Sequence, residues 1–311
     1  MKIGLIDVDG HHFPNLALMK ISAWHKAQGD IVEWWATELQ YYDIVYMSKV
    51  FSNEYTRDEH EPMNCGKVIK GGTGYCITLR DAKEIFHKEL NNSLPSEVEK
   101  MFPDYSIYPQ YDYAVSMTTR GCPNQCGFCH VSPKEGCKTV KVADVSDFWN
   151  GQPEIKVLDA NLTACPDKRD LFRQYRETGA WIDFNQGLDL RRLDEADIED
   201  INAMRIKNIH FAWDLPAIDL EPQLKWYAKR AKHKPHGRNG TVYILTNYNS
   251  TKEEDLHRIY TARECGFDPY VMVYNKPNAS REKRMVQRWC NNKRIFGSVP
   301  RFEEYLKGAK S

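Results

Sequence analysis

Short apolar runs alternate with stretches of helical periodicity along almost the whole chain. KIGLIDV (residues 2–8) reads as a strand, and FPNLALMKISAWHKAQGD (13–30) follows with Leu16, Met19, Ala23 and Ala27 at helical spacing, ending at Gly29, where a helix can stop. DIVEWW (30–35) and YDIVYMSKVF (42–51) predict the next strands, and GKVIKGGTGY (66–75) runs a strand into a Gly-rich turn. Residues 1–105 therefore predict a small open α/β, Rossmann-like domain. The segment MFPDYSIYPQYDY (101–113) has weak periodicity and reads as a linker.

The alternation then resumes. YAVSMTT (113–119), IKVLDAN (155–161), WIDFNQG (181–187), NIHFAWD (208–214), TVYILTN (241–247) and PYVMVYN (269–275) are apolar or β-branched runs, each ending in polar or small residues. Segments of helical length separate most of them. Six such units predict a parallel sheet curled into a partial (β/α)6 TIM-type barrel over residues 106–275, because right-handed crossovers leave few other topologies. In that architecture the residues just after each strand form the rim that carries function. Residues 276–311 predict a basic, helical C-terminal tail. The sequence shows neither an internal repeat nor a low-complexity segment.

Composition narrows the class. The 311 residues are 41% hydrophobic and 28% charged, with 43 Lys+Arg balancing 43 Asp+Glu, so no global charge excess points to nucleic acid or an anionic membrane. The apolar start of the chain is too short for a signal-peptide core and no run approaches the ~18 apolar residues of a membrane span, which predicts a cytoplasmic protein. Nine cysteines form an odd set that favours metal or redox chemistry over a disulfide framework.

Three of those cysteines are concentrated. MTTRGCPNQCGFCHVSP (117–133) places Cys122, Cys126 and Cys129 just after the first strand of the six-unit series. Three thiolates on one loop do not complete a four-ligand zinc site, for which His130 or Cys137 would have to supply the fourth ligand. Soft thiolates on a glycine-containing loop also suit iron–sulfur ligation, and three ligands on a four-iron cluster leave one iron open.

Cys-x3-Cys-x2-Cys, with the aromatic Phe128 before the last cysteine, resembles the signature of radical S-adenosylmethionine (radical SAM) enzymes, and the resemblance covers about residues 110–275. It implies that Cys122, Cys126 and Cys129 ligate a [4Fe–4S] cluster whose fourth iron chelates SAM. It also implies that a reducing partner such as flavodoxin or ferredoxin supplies the electron that cleaves SAM to methionine and a 5′-deoxyadenosyl radical. In LDANLTACP (158–166), Asp159 and Asn161 resemble the acidic-plus-asparagine contact to the SAM amino group, although a capped turn uses the same residue types. FNQGLDLRR (184–192) offers Gln186, Asp189 and Arg191, the last of which would hold the SAM carboxylate or pair on a helix surface. Asp214, Thr246 and Asn247, at the ends of the fourth and fifth strands, are candidates for ribose, adenine or substrate, and equally for helix caps.

The N-terminal layer resembles the cobalamin-binding domains that precede some radical SAM barrels, with VIKGGTGY (68–75) similar to their Gly-Gly turn. DGHHFP (9–14) departs from the cobalt-coordinating Asp-x-His-x-x-Gly pattern by a proline in the glycine position and by its place after the first strand. A degenerate relative serving substrate binding or packing is therefore expected rather than a cobalamin carrier, and GGTG lacks the ending of a phosphate-binding loop. His11 and His12 are open to a role near substrate or metal, and to simple solvation. Cys65, Cys76, Cys265 and Cys290 read as small buried residues, while Cys137 and Cys165 are the pair open to an auxiliary cluster.

From Lys276 to Lys310 the chain carries ten Lys/Arg against three Glu, with Trp289, Phe296 and Phe302 interleaved, and KWYAKRAKHKPHGRNG (225–240) is basic too. Such patches bind phosphate backbones and stack bases, or pack their aromatics and solvate their charges. The substrate thus remains open between a small molecule, a nucleotide and RNA, with no membrane partner. Hydrogen abstraction is the expected reaction. Methyl or methylthio transfer is the alternative within the class, and a non-catalytic metal- or nucleic-acid-binding protein the alternative outside it.

Overall fold

The computed structural model describes residues 1–81, 83–232 and 239–308. The chain divides into two compact units, one of residues 1–116, 121–138 and 142–153, the other of residues 117–120, 139–141 and 154–311.

The first unit opens with β1 (Lys2–Asp7), α1 (Leu16–Ala27), β2 (Ile31–Trp34), β3 (Tyr42–Ser48) and β4 (Cys65–Gly71). These strands pair in parallel in the order β2-β1-β3-β4. The order follows from the chain: α1 returns it to one side of β1, and the link after β2 carries it to the other. Leu18 and Ile21 of α1 pack on Ile3 and Leu5, while Val8, Tyr42, Val45 and Met47 build a second cluster. Full burial of each such side chain stabilises the fold by about 2 kcal/mol. Asn15 caps α1, accepting the Leu18 N–H at 3.2 Å, and its amide donates to Ser48 at 2.9 Å, which ties the helix start to the end of β3. An antiparallel ribbon of β5 (Ile77–Arg80) and β6 (Lys83–Phe86), the short helix α2 (Ser96–Glu99), the strand β7 (Tyr113–Ser116) and the short helix α3 (Val131–Glu135) complete the unit's regular elements.

Residues 101–113 do not span like a linker. Tyr108 is 1% exposed and donates to Asp7 at 2.7 Å, and the Tyr105 hydroxyl donates to the Phe148 carbonyl at 2.7 Å. A tyrosine with an apolar body and a satisfied hydroxyl makes Tyr108 part of the core.

The second unit contains the ribbon of β8 (Thr119–Arg120) and β9 (Val140–Lys141), then β10 (Glu154–Val157), α4 (Lys168–Thr178), β11 (Trp181–Leu188), α5 (Glu195–Ala203), β12 (Arg205–Ala212), α6 (Glu221–Arg230), β13 (Gly240–Thr246), α7 (Lys252–Glu264) and β14 (Asp268–Val273). The second sheet has six strands in the order β14-β13-β12-β11-β10-β7, and every register from β10 to β14 is parallel. This sequential winding is the expected partial (β/α)6 arrangement, with each predicted strand in place. Ile155, Ile182, Phe184, Phe211, Val242, Ile244 and Val271 are buried, as are Phe172, Tyr175, Ile201, Tyr227 and Ile259 of the intervening helices. The alternate positions are polar: Lys156 pairs with Asp183 at 3.1 Å, and His210 stacks on Tyr243 with centroids 5.0 Å apart.

The C-terminal stretch is helical, as α8 (Arg281–Asn291), α9 (Lys293–Ser298) and α10 (Phe302–Gly308), and its aromatics are packed. Trp289 is fully buried, with ring centroids 4.8 Å from Phe296 and 5.6 Å from Phe302, and its indole N–H donates to the Val299 carbonyl. Residues 233–238 of the other basic stretch and 309–311 of the tail lie outside the described residues. Among the described residues no helix is long and apolar enough to cross a membrane.

Candidate functional site

The cysteine loop belongs to the first unit, and its backbone is pinned at both ends. Gly121 has φ +86°, and a Cβ there would lie 2.1 Å from the Lys138 carbonyl oxygen, so only glycine fits. The Gly121 N–H donates to Glu135 at 3.1 Å, the Cys122 N–H to the Gly136 carbonyl at 3.1 Å, and the Ser132 hydroxyl to the Cys122 carbonyl at 2.7 Å. A left-handed Gln125 (φ 46°) and a Cys129 N–H to Cys126 carbonyl bond of 2.9 Å form the tight turn between the cysteines. All three cysteines are half-buried, and none of the nine in the chain is in a disulfide.

The β5–β6 region supports this loop. His130 Nε2 lies 3.3 Å from Glu84 Oε2, and its ring stacks on Phe86 with centroids 5.7 Å apart. The bond from His130, with a second from Ser52, holds the Glu84 carboxyl below its ordinary pKa against the opposing effect of burial. Lys134 Nζ donates to Thr73 at 2.6 Å.

Among the described residues no three His, Cys, Asp or Glu side chains converge on one point as a single metal ion requires. His130 Nε2 faces Glu84, and Cys137 is exposed. A four-iron cluster makes a different demand, because each thiolate binds its own iron and the sulfurs stay apart. Three soft donors on a pinned loop fit that group.

The other candidates lie in the second unit. Asp159 is 2% exposed, and its Oδ1 accepts the hydroxyls of Thr118 at 2.8 Å and Thr119 at 2.7 Å. Burial pushes its carboxyl above the ordinary pKa, the threonine bonds opposing, while Oδ2 is buried with no hydrogen-bond partner among the described residues. Asn161 Oδ1 accepts from Thr163 at 3.2 Å, and the Thr163 hydroxyl accepts the Asp189 N–H at 3.0 Å. The loops after β10 and β11 are thereby tied together. Gln186 is exposed beside Gly187, at the irregularity in the β11 ladder. Arg191 forks onto Asp189 through two bonds of 2.7 Å, and Arg192 joins the same carboxylate at 3.3 Å.

Asp214, just past β12, is pushed by burial up to about 6, with Arg258 the main opposing charge. Its Oδ1 is buried without a partner among the described residues. Thr246 donates to the Met272 carbonyl at 3.3 Å, and the left-handed Asn247 donates to the Tyr274 carbonyl at 2.9 Å, so both brace the β13 end against β14.

Sequence reasoning missed Arg258. It is 1% exposed on α7, and its guanidinium donates to the carbonyls of Trp213 at 2.7 Å, Asp214 at 3.0 Å and Leu245 at 3.0 Å, and to Asp255 at 2.6 Å. One planar cation therefore holds the carboxyl ends of β12 and β13 in place. The available signal was the Asp255/Arg258 pair one turn inside the Thr251–Glu254 capping box, which also reads as an ordinary surface pair.

No family model matches the chain. No curated protein matches it either. Among solved structures it is similar to Streptococcus suis SuiB bound to precursor peptide SuiA, at 10% identity and a TM-score of 0.39 over 73% of this chain and 55% of that one. It is also similar to the cobalamin-dependent S-adenosylmethionine radical enzyme OxsB in its apo form, at 11% identity and a TM-score of 0.42 over 88% of this chain and 49% of that one. The chain spans about half the length of each.

Proposed function

We propose that the chain is a radical SAM enzyme, one that reductively cleaves S-adenosylmethionine at a [4Fe–4S] cluster and abstracts hydrogen from an unidentified substrate. The observation that supports this most is the cysteine loop, where three half-buried thiols at Cys-x3-Cys-x2-Cys spacing sit on a backbone closed by an obligatory glycine. Cys122, Cys126 and Cys129 hold the cluster in this reading. When bound, cluster and SAM supply the one-electron chemistry that makes a 5′-deoxyadenosyl radical. The chain's own residues fix the loop.

Asp214 and Gln186 are our foremost polar contacts for SAM or substrate, the first for its unmatched buried oxygen and the second for its exposure at a strand end. Asp159 offers Oδ2 alone, because Oδ1 already serves Thr118 and Thr119. Arg191 would have to exchange Asp189 for the SAM carboxylate. Asn161, Thr246 and Asn247 act through the strand ends they brace. A flavodoxin- or ferredoxin-like reductant supplies the electron. Burial of Trp289, Phe296 and Phe302 removes the stacking surface on which an RNA-binding tail depended.

The test is anaerobic reconstitution with iron and sulfide, followed by SAM and dithionite and measurement of 5′-deoxyadenosine beside a Cys126→Ala control. Deoxyadenosine from the wild type alone supports the reading. None from protein carrying a full four-iron cluster overturns it.

A further inference from the structure

A cavity of about 200 Å³ lies wholly within the first unit, lined by Leu5, Ile6, Asp7, His11, Trp34, Trp35, Glu59 and His60. It sits at the carboxyl ends of β1 and β2, the end of an open parallel sheet where ligands ordinarily bind. Its volume is below the ~300 Å³ of drug-sized pockets and suits a fragment-sized molecule.

Its polar wall is assembled around Asp7, which is 7% exposed. Asp7 Oδ2 accepts the Tyr108 hydroxyl at 2.7 Å and the His11 N–H at 3.2 Å, which fixes the carboxyl in the cavity wall. His11 is held left-handed at φ 59°, a conformation that costs a β-carbon-bearing residue energy and persists here because both of its backbone groups are engaged, the carbonyl by the Tyr111 hydroxyl at 2.7 Å. The result is an imidazole set edge-on to Trp34, with centroids 4.2 Å apart. Two indoles thus share the lining with two carboxylates and two imidazoles, and no lysine or arginine is among them.

Each component selects the same ligand chemistry. Carboxylates with no lysine or arginine in the same lining favour a cation, and indoles favour one that is planar and weakly hydrated. A guanidinium meets both conditions, pairing through its N–H fork with a carboxylate while stacking on an indole. A transition metal does not fit, because no three ligating side chains converge among the described residues. We infer that this cavity is a binding site for a small guanidinium compound. The site is independent of the cysteine loop and of the reaction proposed above.

The full-length chain can be tested without iron. Its eight tryptophans give indole N–H signals in a ¹H–¹⁵N spectrum, with Trp34→Phe and Trp35→Phe providing the assignments. Methylguanidinium is titrated against methylurea, its neutral counterpart, and against inorganic phosphate. Saturable shifts of the Trp34 and Trp35 signals by methylguanidinium alone, weakened about tenfold or more in Glu59→Gln, support the site; a tenfold loss is the scale of one charge-assisted contact. Because Glu59 is exposed, that variant keeps the other indole signals in place and reports binding rather than folding. Equal shifts with methylurea, shifts with phosphate, an undiminished Glu59→Gln variant, or no saturable shift each overturn the inference.

Discussion

Glu84 and His130 lie 46 residues apart in sequence and 3.3 Å apart in space, joining β6 to the residue that follows the last cysteine of the loop. The pair is partly exposed, so Glu84→Gln should change global stability by less than about 1 kcal/mol. The local effect should be larger, because the carboxylate also accepts from Ser52. Faster loss of the ~400 nm iron–sulfur absorbance after reconstitution, at an unchanged melting temperature, is the expected outcome for a group that positions the loop we propose to carry the cluster. Equal decay rates would show that the pair is incidental to the loop.

Gly121→Ala should damage iron loading more severely than any other single change on the loop outside the cysteines. The added methyl meets the Lys138 carbonyl oxygen at 2.1 Å in a left-handed backbone, so the chain must move where it enters the motif. Iron per chain should fall several-fold while the far-ultraviolet circular dichroism stays native. The comparison is Gly136→Ala, whose Cβ meets nothing within 4 Å although its φ is also positive.

The carboxyl of Asp214 predicts a pH-dependent stability of unusual sign. Its folded pKa, about 6, lies above the ordinary 3.8, so between those values the folded state binds the extra proton and stability falls as pH rises. Asp214→Asn removes that penalty. Relative to wild type it should gain up to about 3 kcal/mol at pH 7 and little near pH 4, as two pKa units imply. Urea denaturation at the two pH values decides, and an equal effect at both would mean that the carboxyl titrates normally.

Arg258→Met should be among the most destabilising substitutions in the chain, by about 3–5 kcal/mol, because it leaves three carbonyls without their donor and takes from the buried Asp255 one of its two cationic partners, Lys283 remaining. Arg258→Lys should rescue little, since a point charge cannot reach all of these acceptors at once. Equilibrium unfolding of both variants checks the claim, and full rescue by lysine would reduce the arginine to a charge.

The sequence made the strands legible where apolar runs had polar ends, and all six runs from Tyr113 to Asn275 are strands. The cysteine motif was legible because the spacing is local. What periodicity did not reveal were commitments made across space. Arg191 and Asp159 both looked available as ligands, yet one is forked onto Asp189 and the other is held by threonines two strands earlier in the chain. Trp289 looked like a stacking surface because its neighbours are basic, whereas amphipathic helices place such aromatics inward while the lysines and arginines stay solvated. Residues 101–113 looked like a linker because tyrosine and proline give no period, and Tyr108 is core through a single hydroxyl bond to Asp7.

Glu84, Phe86 and Thr73, all from the N-terminal layer, are supports of the cysteine loop. A lineage that exchanged the N-terminal layer for another would discard this buttress of the cysteine loop along with it. Drift in Glu84 or Thr73 should therefore be constrained by the cysteine loop as well as by their immediate strand neighbours.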